Sequence, residues 1–214
     1  MSIELMDEHE QGERVRAWLR ENGASIVTGI ALGIAAIAGW QWWQSHRMQR
    51  ALEASTQFAA LSQALESSDR DLVERLAGVL VKDHADSPYA ALAALAWASQ
   101  QVEGGELQGA AATLEQARAL KLEPELAQRI DTRLARIHTA NGQAEKALAL
   151  LEGSKQASAL EARGDALLAL GRAQEAAEAY REAHKALDAT LTQRRVLELK
   201  LADLGIVDND GEQG

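Results

Sequence analysis

Twenty-one consecutive residues from Gly23 to Trp43, GASIVTGIALGIAAIAGWQWW, carry no charge, and the charge-free run extends from Asn22 to Ser45. As a helix rising ~1.5 Å per residue, such a stretch covers roughly 31 Å, about the ~30 Å hydrocarbon core of a bilayer. It therefore predicts one membrane-crossing anchor at 23–43. Ile26, Val27, Ile30, Leu32, Ile34 and Ile37 each favour insertion by about 0.3–0.6 kcal/mol, on the order of 2–4 kcal/mol together. Four of the five tryptophans bracket the run, Trp18 before it and Trp40, Trp42 and Trp43 at its end. Indole rings prefer the headgroup level, so these four are the expected interface anchors.

Two other readings of the run are weaker. A cleaved signal peptide would use Ala36-Ile37-Ala38 before Gly39 as its small-residue site and Arg14, Arg16 and Arg20 as its positive region. The apolar run, however, continues into three tryptophans with no polar stretch, and the leading segment carries six acids. A buried soluble helix would be penalised by Gly29, Gly33 and Gly39, each costing about 1 kcal/mol relative to alanine. In lipid these glycines have a use. Ser25, Gly29 and Gly33 recur every four residues, a small-residue face that lets a second helix approach closely.

The remaining ~170 residues suffice for one soluble domain. The apolar fraction is 47% with only 4% aromatics, and alanine and leucine dominate it, which favours helices. A net charge of −10 disfavours nucleic-acid binding, which needs basic surface to neutralise phosphate. The absence of cysteine excludes disulfides and thiolate chemistry. The five histidines are scattered, and Asp83-His84-Ala85-Asp86 reads as the end of a helix rather than a metal site. No phosphate-binding glycine loop, nucleophile elbow or His-Glu-x-x-His motif is present. No enzyme activity and no cofactor are expected.

In chain order, residues 1–22 form a short amphipathic leader with Val15, Trp18 and Leu19 on one face. Three arginines precede the anchor and two, Arg47 and Arg50, follow it closely, so the positive-inside rule tips narrowly toward a cytoplasmic N-terminus. From 44 to 205 helical segments alternate with breaks at Ser67-Ser68-Asp69, Asp86-Ser87-Pro88, Gly104-Gly105, Lys121–Pro124, Asn141-Gly142, Gly153-Ser154, Gly171 and Asp188 with Thr190. Ser87 as N-cap with Pro88 at the first helical position starts a helix there. Nine helices after the anchor are expected, with connections so short that neighbours pack antiparallel. Residues 206–214 read as a flexible acidic tail.

A repeat emerges when Gly105, Gly142 and Gly171 are aligned as turns. Five residues later stand Ala110, Ala147 and Ala176; nine later, Leu114, Leu151 and Tyr180; twelve later, Ala117, Ser154 and Ala183; seven earlier, Ala98, Ala135 and Gly164. This small–large spacing resembles tetratricopeptide repeats, in a degenerate form with turns 37 and 29 residues apart. The resemblance implies an all-α chain, one N-terminal transmembrane helix followed by a right-handed α-solenoid of degenerate tetratricopeptide-like hairpins. It also implies a concave groove lined by Leu92, Leu95, Ser99 and Val102, then Arg129, Thr132, Arg136 and Thr139, then Ser158, Glu161, Asp165 and Leu168. That gradation from apolar to basic to acidic suits an extended polypeptide better than a metabolite.

The whole layout resembles one family more closely. An acidic leader, Trp18-Leu19-Arg20-Glu21-Asn22-Gly23, the glycine-spaced anchor closing in Gly39-Trp40-Gln41-Trp42-Trp43-Gln44, and the hairpin start Asp86-Ser87-Pro88-Tyr89-Ala90 are similar to the YfgM-type ancillary subunits of the bacterial SecYEG translocon. The resemblance implies an inner-membrane protein with a cytoplasmic N-terminus and a periplasmic repeat domain. It further implies partners: the SecYEG translocon, a membrane-anchored periplasmic chaperone of the prolyl-isomerase-like class, and exported client polypeptides. Two alternatives stay open from the residues, a membrane-tethered regulator with its solenoid in the cytoplasm and a purely structural envelope scaffold that handles no client.

Overall fold

The computed structural model describes residues 4–187 and 191–205. The acidic tail expected at 206–214 and the break expected at Asp188 and Thr190 lie outside the described residues. Every described element is an α-helix. The chain divides into two compact units, 1–52 and 53–214.

The first unit is helical from Glu4 onward, as part of α1 (Glu4–Glu66). The leader and the apolar run thus share one helix without a break. Along the run Val27, Leu32 and Ile34 are each more than 60% exposed, so no protein surface covers them, as a lipid-facing helix requires. Its polar side chains are satisfied locally: Thr28 Oγ1 donates to the Ala24 carbonyl at 2.8 Å, and Asn22 Nδ2 to the Trp18 carbonyl at 3.0 Å. At the C-terminal end the tryptophans form a cluster. Trp40 and Trp43 lie 5.2 Å apart, Trp42 stacks on His46, and the Arg47 guanidinium sits 4.8 Å from the Trp43 ring centre.

The second unit begins with the last turns of α1 and continues through α2 (Arg70–Asp83), α3 (Pro88–Glu103), α4 (Leu107–Arg118), α5 (Pro124–Ala140), α6 (Ala144–Leu150), α7 (Ala157–Ala169), α8 (Ala173–Ala186) and α9 (Leu191–Asp203). Counting that end of α1, this makes nine helical segments after the anchor among the described residues. They pair as four hairpins, the end of α1 with α2, α3 with α4, α5 with α6 and α7 with α8, while α9 closes the row. Start signals act as the sequence predicts: Ser87 Oγ accepts from the Tyr89 N–H at 3.2 Å, and Pro88 opens α3 where its missing N–H costs nothing.

Each turn glycine adopts positive φ, 77° at Gly105, 73° at Gly142 and 74° at Gly171. In each case the next residue donates its N–H back five residues: Glu106 to the Gln101 carbonyl, Gln143 to His138, and Arg172 to Leu167, at 2.8–2.9 Å. That is the Schellman closure, which satisfies a carbonyl the helix end would orphan and strains any residue carrying a Cβ. The same closure occurs a fourth time at Ser68, φ 57°, with Asp69 N–H donating to the Ala64 carbonyl at 3.1 Å. Ser68 is therefore the turn of a first hairpin. At its equivalent positions Leu61, Val73, Ala77 and Leu80 are all fully buried. Ser68→Gly should relieve the left-handed strain and raise stability by about 0.5–1 kcal/mol, whereas Ser68→Val should lower it. Thermal unfolding of the two variants would decide this, and equal melting temperatures would show that the turn carries no strain.

One expected register fails. Ser154 was aligned with Ala117 and Ala183 inside the second helix of its hairpin, yet α6 ends at Leu150 and Gly153, φ 74°, has already turned the chain. Ser154 lies in the connection instead. The short α6 also accounts for the 29-residue spacing between Gly142 and Gly171.

Packing follows nearest neighbours. Ala93 of α3 completes the first hairpin's cluster of Ala54, Leu61, Val73 and Leu80. Ala98, Ala110, Leu114 and Ala117 of the second hairpin meet Ile130 and Leu134 of α5. Ala135 and Ala147 of the third pack on Ala159 and Ala166 of α7, and Leu167, Tyr180 and Ala183 of the fourth pack on Leu197 and Leu201 of α9. No hairpin buries its face alone, so stability passes from each unit to the next.

Candidate functional site

The first helices of the hairpins, α3, α5 and α7, carry the predicted groove residues. On α3, Leu92, Leu95 and Ser99 are half-buried and Val102 is 39% exposed. On α5, Arg129 and Arg136 are exposed. Thr132 differs. It is buried, with its hydroxyl donating to the Gln128 carbonyl at 2.8 Å, and the exposed neighbour beside it is Arg133. On α7, Glu161 and Asp165 are half-buried and Leu168 is exposed.

Three of the predicted residues share one chain of charges. Arg136 Nη2 lies 3.3 Å from Glu161 Oε2 and 3.4 Å from the Ser158 carbonyl. Lys200 Nζ on α9 donates to Glu161 Oε1 at 2.8 Å and to the two Asp165 oxygens at 2.7 and 2.9 Å. The Tyr180 hydroxyl donates to Asp165 Oδ1 at 2.7 Å, and Lys200 sits 5.4 Å from the Tyr180 ring centre. Burial, reinforced by the bond to Asp165, pushes the Tyr180 phenol well above its ordinary value, so it stays a donor. The acidic third of the groove is thus engaged by α9 of the same chain, not left open.

Sequence reasoning placed no partner on those acids. A signal for one existed: Gly205, φ 74°, stands 34 residues after Gly171 and ends α9 as the other turn glycines end α3, α5 and α7. That spacing marks α9 as the first helix of a further repeat, which would lie beside α7.

Between α3, α4 and α5 is a cavity of about 200 Å³ lined by Leu95, Ser99, Val102, Leu107, Leu114, Arg133, Arg136 and Ile137. A larger hollow of about 550 Å³ lies where Ser158 and Glu161 of α7 face Val196 and Leu197 of α9. Among the described residues no group of three or more His, Cys, Asp and Glu side chains could hold a metal ion.

In the first unit, Ser25, Gly29 and Gly33 lie in the exposed apolar run, and a Cβ added at either glycine would meet nothing within 4 Å. Trp18, Trp40, Trp42 and Trp43 are all exposed at the ends of that run. Among the described residues one helix is long and apolar enough to cross a membrane, and none of its apolar window is buried.

A family model described as a tetratricopeptide repeat-like domain matches residues 16–206. An ancillary SecYEG translocon subunit of Escherichia coli (strain K12) is 32% identical over 204 residues, 94% of this chain and 98% of that one. An ancillary SecYEG translocon subunit of Aggregatibacter actinomycetemcomitans is 27% identical over 203 residues, 93% of this chain and 98% of that one. Among solved structures, a Podosopora anserina protein described as a kinesin light chain with nearly identical TPR-like repeats aligns with a TM-score of 0.55 at 21% identity, over 71% of this chain and 84% of that one. At that identity the likeness speaks to the fold alone. With the repeat model spanning most of its length and a relative matched nearly end to end, the chain belongs to the family of ancillary SecYEG translocon subunits, built on a tetratricopeptide repeat-like domain.

Proposed function

We propose that the chain is a single-pass inner-membrane interaction scaffold that works beside the SecYEG translocon by binding rather than by catalysis. In this reading residues 1–22 are cytoplasmic, 23–43 cross the membrane and 44–205 form the periplasmic repeat domain. Its groove holds a membrane-anchored periplasmic chaperone of the prolyl-isomerase-like class and helps hand over newly exported polypeptides. The observation that carries the reading is the nearly end-to-end match to an ancillary SecYEG translocon subunit, joined to one wholly exposed apolar helix. Tethering supplies the mechanism. Confinement to the membrane raises the repeat domain's concentration near the channel, so contacts weak in free solution suffice.

Purification of the tagged full chain in mild detergent should recover translocon subunits. A reporter enzyme active only outside the cytoplasm, fused after Gly214, should be active. Photo-crosslinkers at Arg129 and Leu92 should capture exported chains alongside the chaperone. Capture of a single fixed protein would leave a structural scaffold without clients, and an inactive reporter would place the repeat domain in the cytoplasm.

A further inference from the structure

We infer that the cavity between α3, α4 and α5 receives one apolar side chain of a partner polypeptide while Arg133 and Arg136 at its mouth hold a carboxylate on the neighbouring residue. This deepens the proposed function and rests on the groove being the binding face.

Size comes first. A cavity of about 200 Å³ is slightly larger than the ~150 Å³ apolar cavities that take up benzene, and smaller than the ~300–1,000 Å³ pockets typical of metabolites. It fits one aliphatic or aromatic side chain. Its walls suit that guest: Leu95 and Val102 of α3, Leu107 and Leu114 of α4, and Ile137 of α5 are apolar, with the Ser99 hydroxyl available to a passing backbone.

Charge supplies the second half. The chain carries a net −10, yet α5 presents Arg129, Arg133 and Arg136 as exposed residues within two helical turns, a basic ridge on an acidic protein. Arg133 has no ion-pair partner among the described residues. Arg136 spends one nitrogen on Glu161 and Ser158 at 3.3–3.4 Å, which leaves donors of its planar fork for a carboxylate. Farther along the groove, Lys200 and Arg136 together balance Glu161 and Asp165, which would otherwise repel an acidic segment. A basic segment would instead meet the arginines in repulsion.

The test uses the full chain in mild detergent and three fluorescent ten-residue peptides read by anisotropy. One has a leucine flanked by Asp and Glu, the second has Asn and Gln in place of the acids, and the third has serine in place of the leucine. The first should bind at least about tenfold more tightly than either of the others. Arg133→Glu should erase the preference for acids, Arg133→Lys should keep part of it, and Ser99→Trp, filling the cavity, should erase the preference for leucine. Circular dichroism would confirm that the variants stay folded. Equal affinity for all three peptides or an unaltered preference in Arg133→Glu overturns the inference. If translocon subunits still co-purify in that case, the inference fails alone. If the peptide preference holds but no translocon subunit co-purifies, the translocon assignment fails while the inference stands.

Discussion

Gly164→Ala is expected to destabilise the repeat domain by about 2–3 kcal/mol. A Cβ at Gly164 would overlap the Tyr180 ring, lying 2.5 Å from Cδ1 and 2.9 Å from Cζ. The ring has nowhere to go. Tyr180 is 1% exposed, packed among Leu160, Leu167 and Leu197, and tied by its hydroxyl to Asp165. Alanine's better helix propensity returns only about 1 kcal/mol. Overpacking costs about 1–3 kcal/mol, and weakening without breaking a hydrogen bond to a charged carboxylate, itself worth about 1.5–3 kcal/mol, adds a fraction of that, so the overlap wins. For a domain this size the melting temperature should fall by roughly 5–10 °C. The double change Gly164→Ala with Tyr180→Leu should be less destabilised than the sum of its parts, because the smaller side chain removes the overlap. Hydrogen exchange should locate the loss in α7, α8 and α9 while α2 and α3 stay protected, since each hairpin leans only on its neighbours. An unchanged melting temperature would mean that the two helices can part freely at this point.

How much of this could be read from the sequence depends on whether the determining contact is local. Ser87 with Pro88 and the turn glycines at 105, 142 and 171 act through bonds within five residues, and all adopt the expected geometry. The break at Ser67-Ser68-Asp69 was legible, but the first hairpin's place in the repeat was hidden because a serine stands where the other turns have glycine. Around it the size pattern is also inverted, with Leu61, Val73 and Leu80 large where the other hairpins are small, or nearly so. The break at Gly153-Ser154 was legible as well, but the repeat spacing ran past it to Ser154, because Leu148, Leu150 and Leu151 continue the apolar rhythm while the backbone leaves the helix after Leu150. Within the groove, four of the residues that spacing selects, Leu95, Ser99, Val102 and Arg136, line one cavity. Spacing missed Arg133, which reaches the cavity mouth from one residue beyond the buried Thr132. Lys200 was beyond local reading, since its carboxylate partners stand 35 and 39 residues away. Nothing on α7 itself reports that its acids are satisfied.

Leu32→Arg, at the middle of the apolar run, should move most of the chain out of the membrane fraction. The six large apolar residues of the run favour insertion by on the order of 2–4 kcal/mol in all, and a central arginine costs about 2.5–3.5 kcal/mol, or about 3–4 kcal/mol once leucine's own contribution is lost as well. The two terms nearly cancel, so a single residue decides. The helix has no alternative burial, because Leu32 is 66% exposed and its neighbours Ile30 and Ile34 are as open. Fractionation and carbonate extraction would read the outcome. Retention of Leu32→Arg in the membrane fraction would show that something other than this helix holds the chain there. Gly33→Leu separates anchoring from helix contact. It adds apolar surface and should leave the chain in the membrane, yet it places a branched side chain in the row formed with Ser25 and Gly29, where a Cβ now meets nothing. If that row is where a partner helix approaches, Gly33→Leu should keep full membrane retention and lose most of the translocon subunits recovered in mild detergent. Undiminished recovery would leave the three small residues as nothing more than glycine and serine that lipid tolerates, with the repeat domain alone holding the partner.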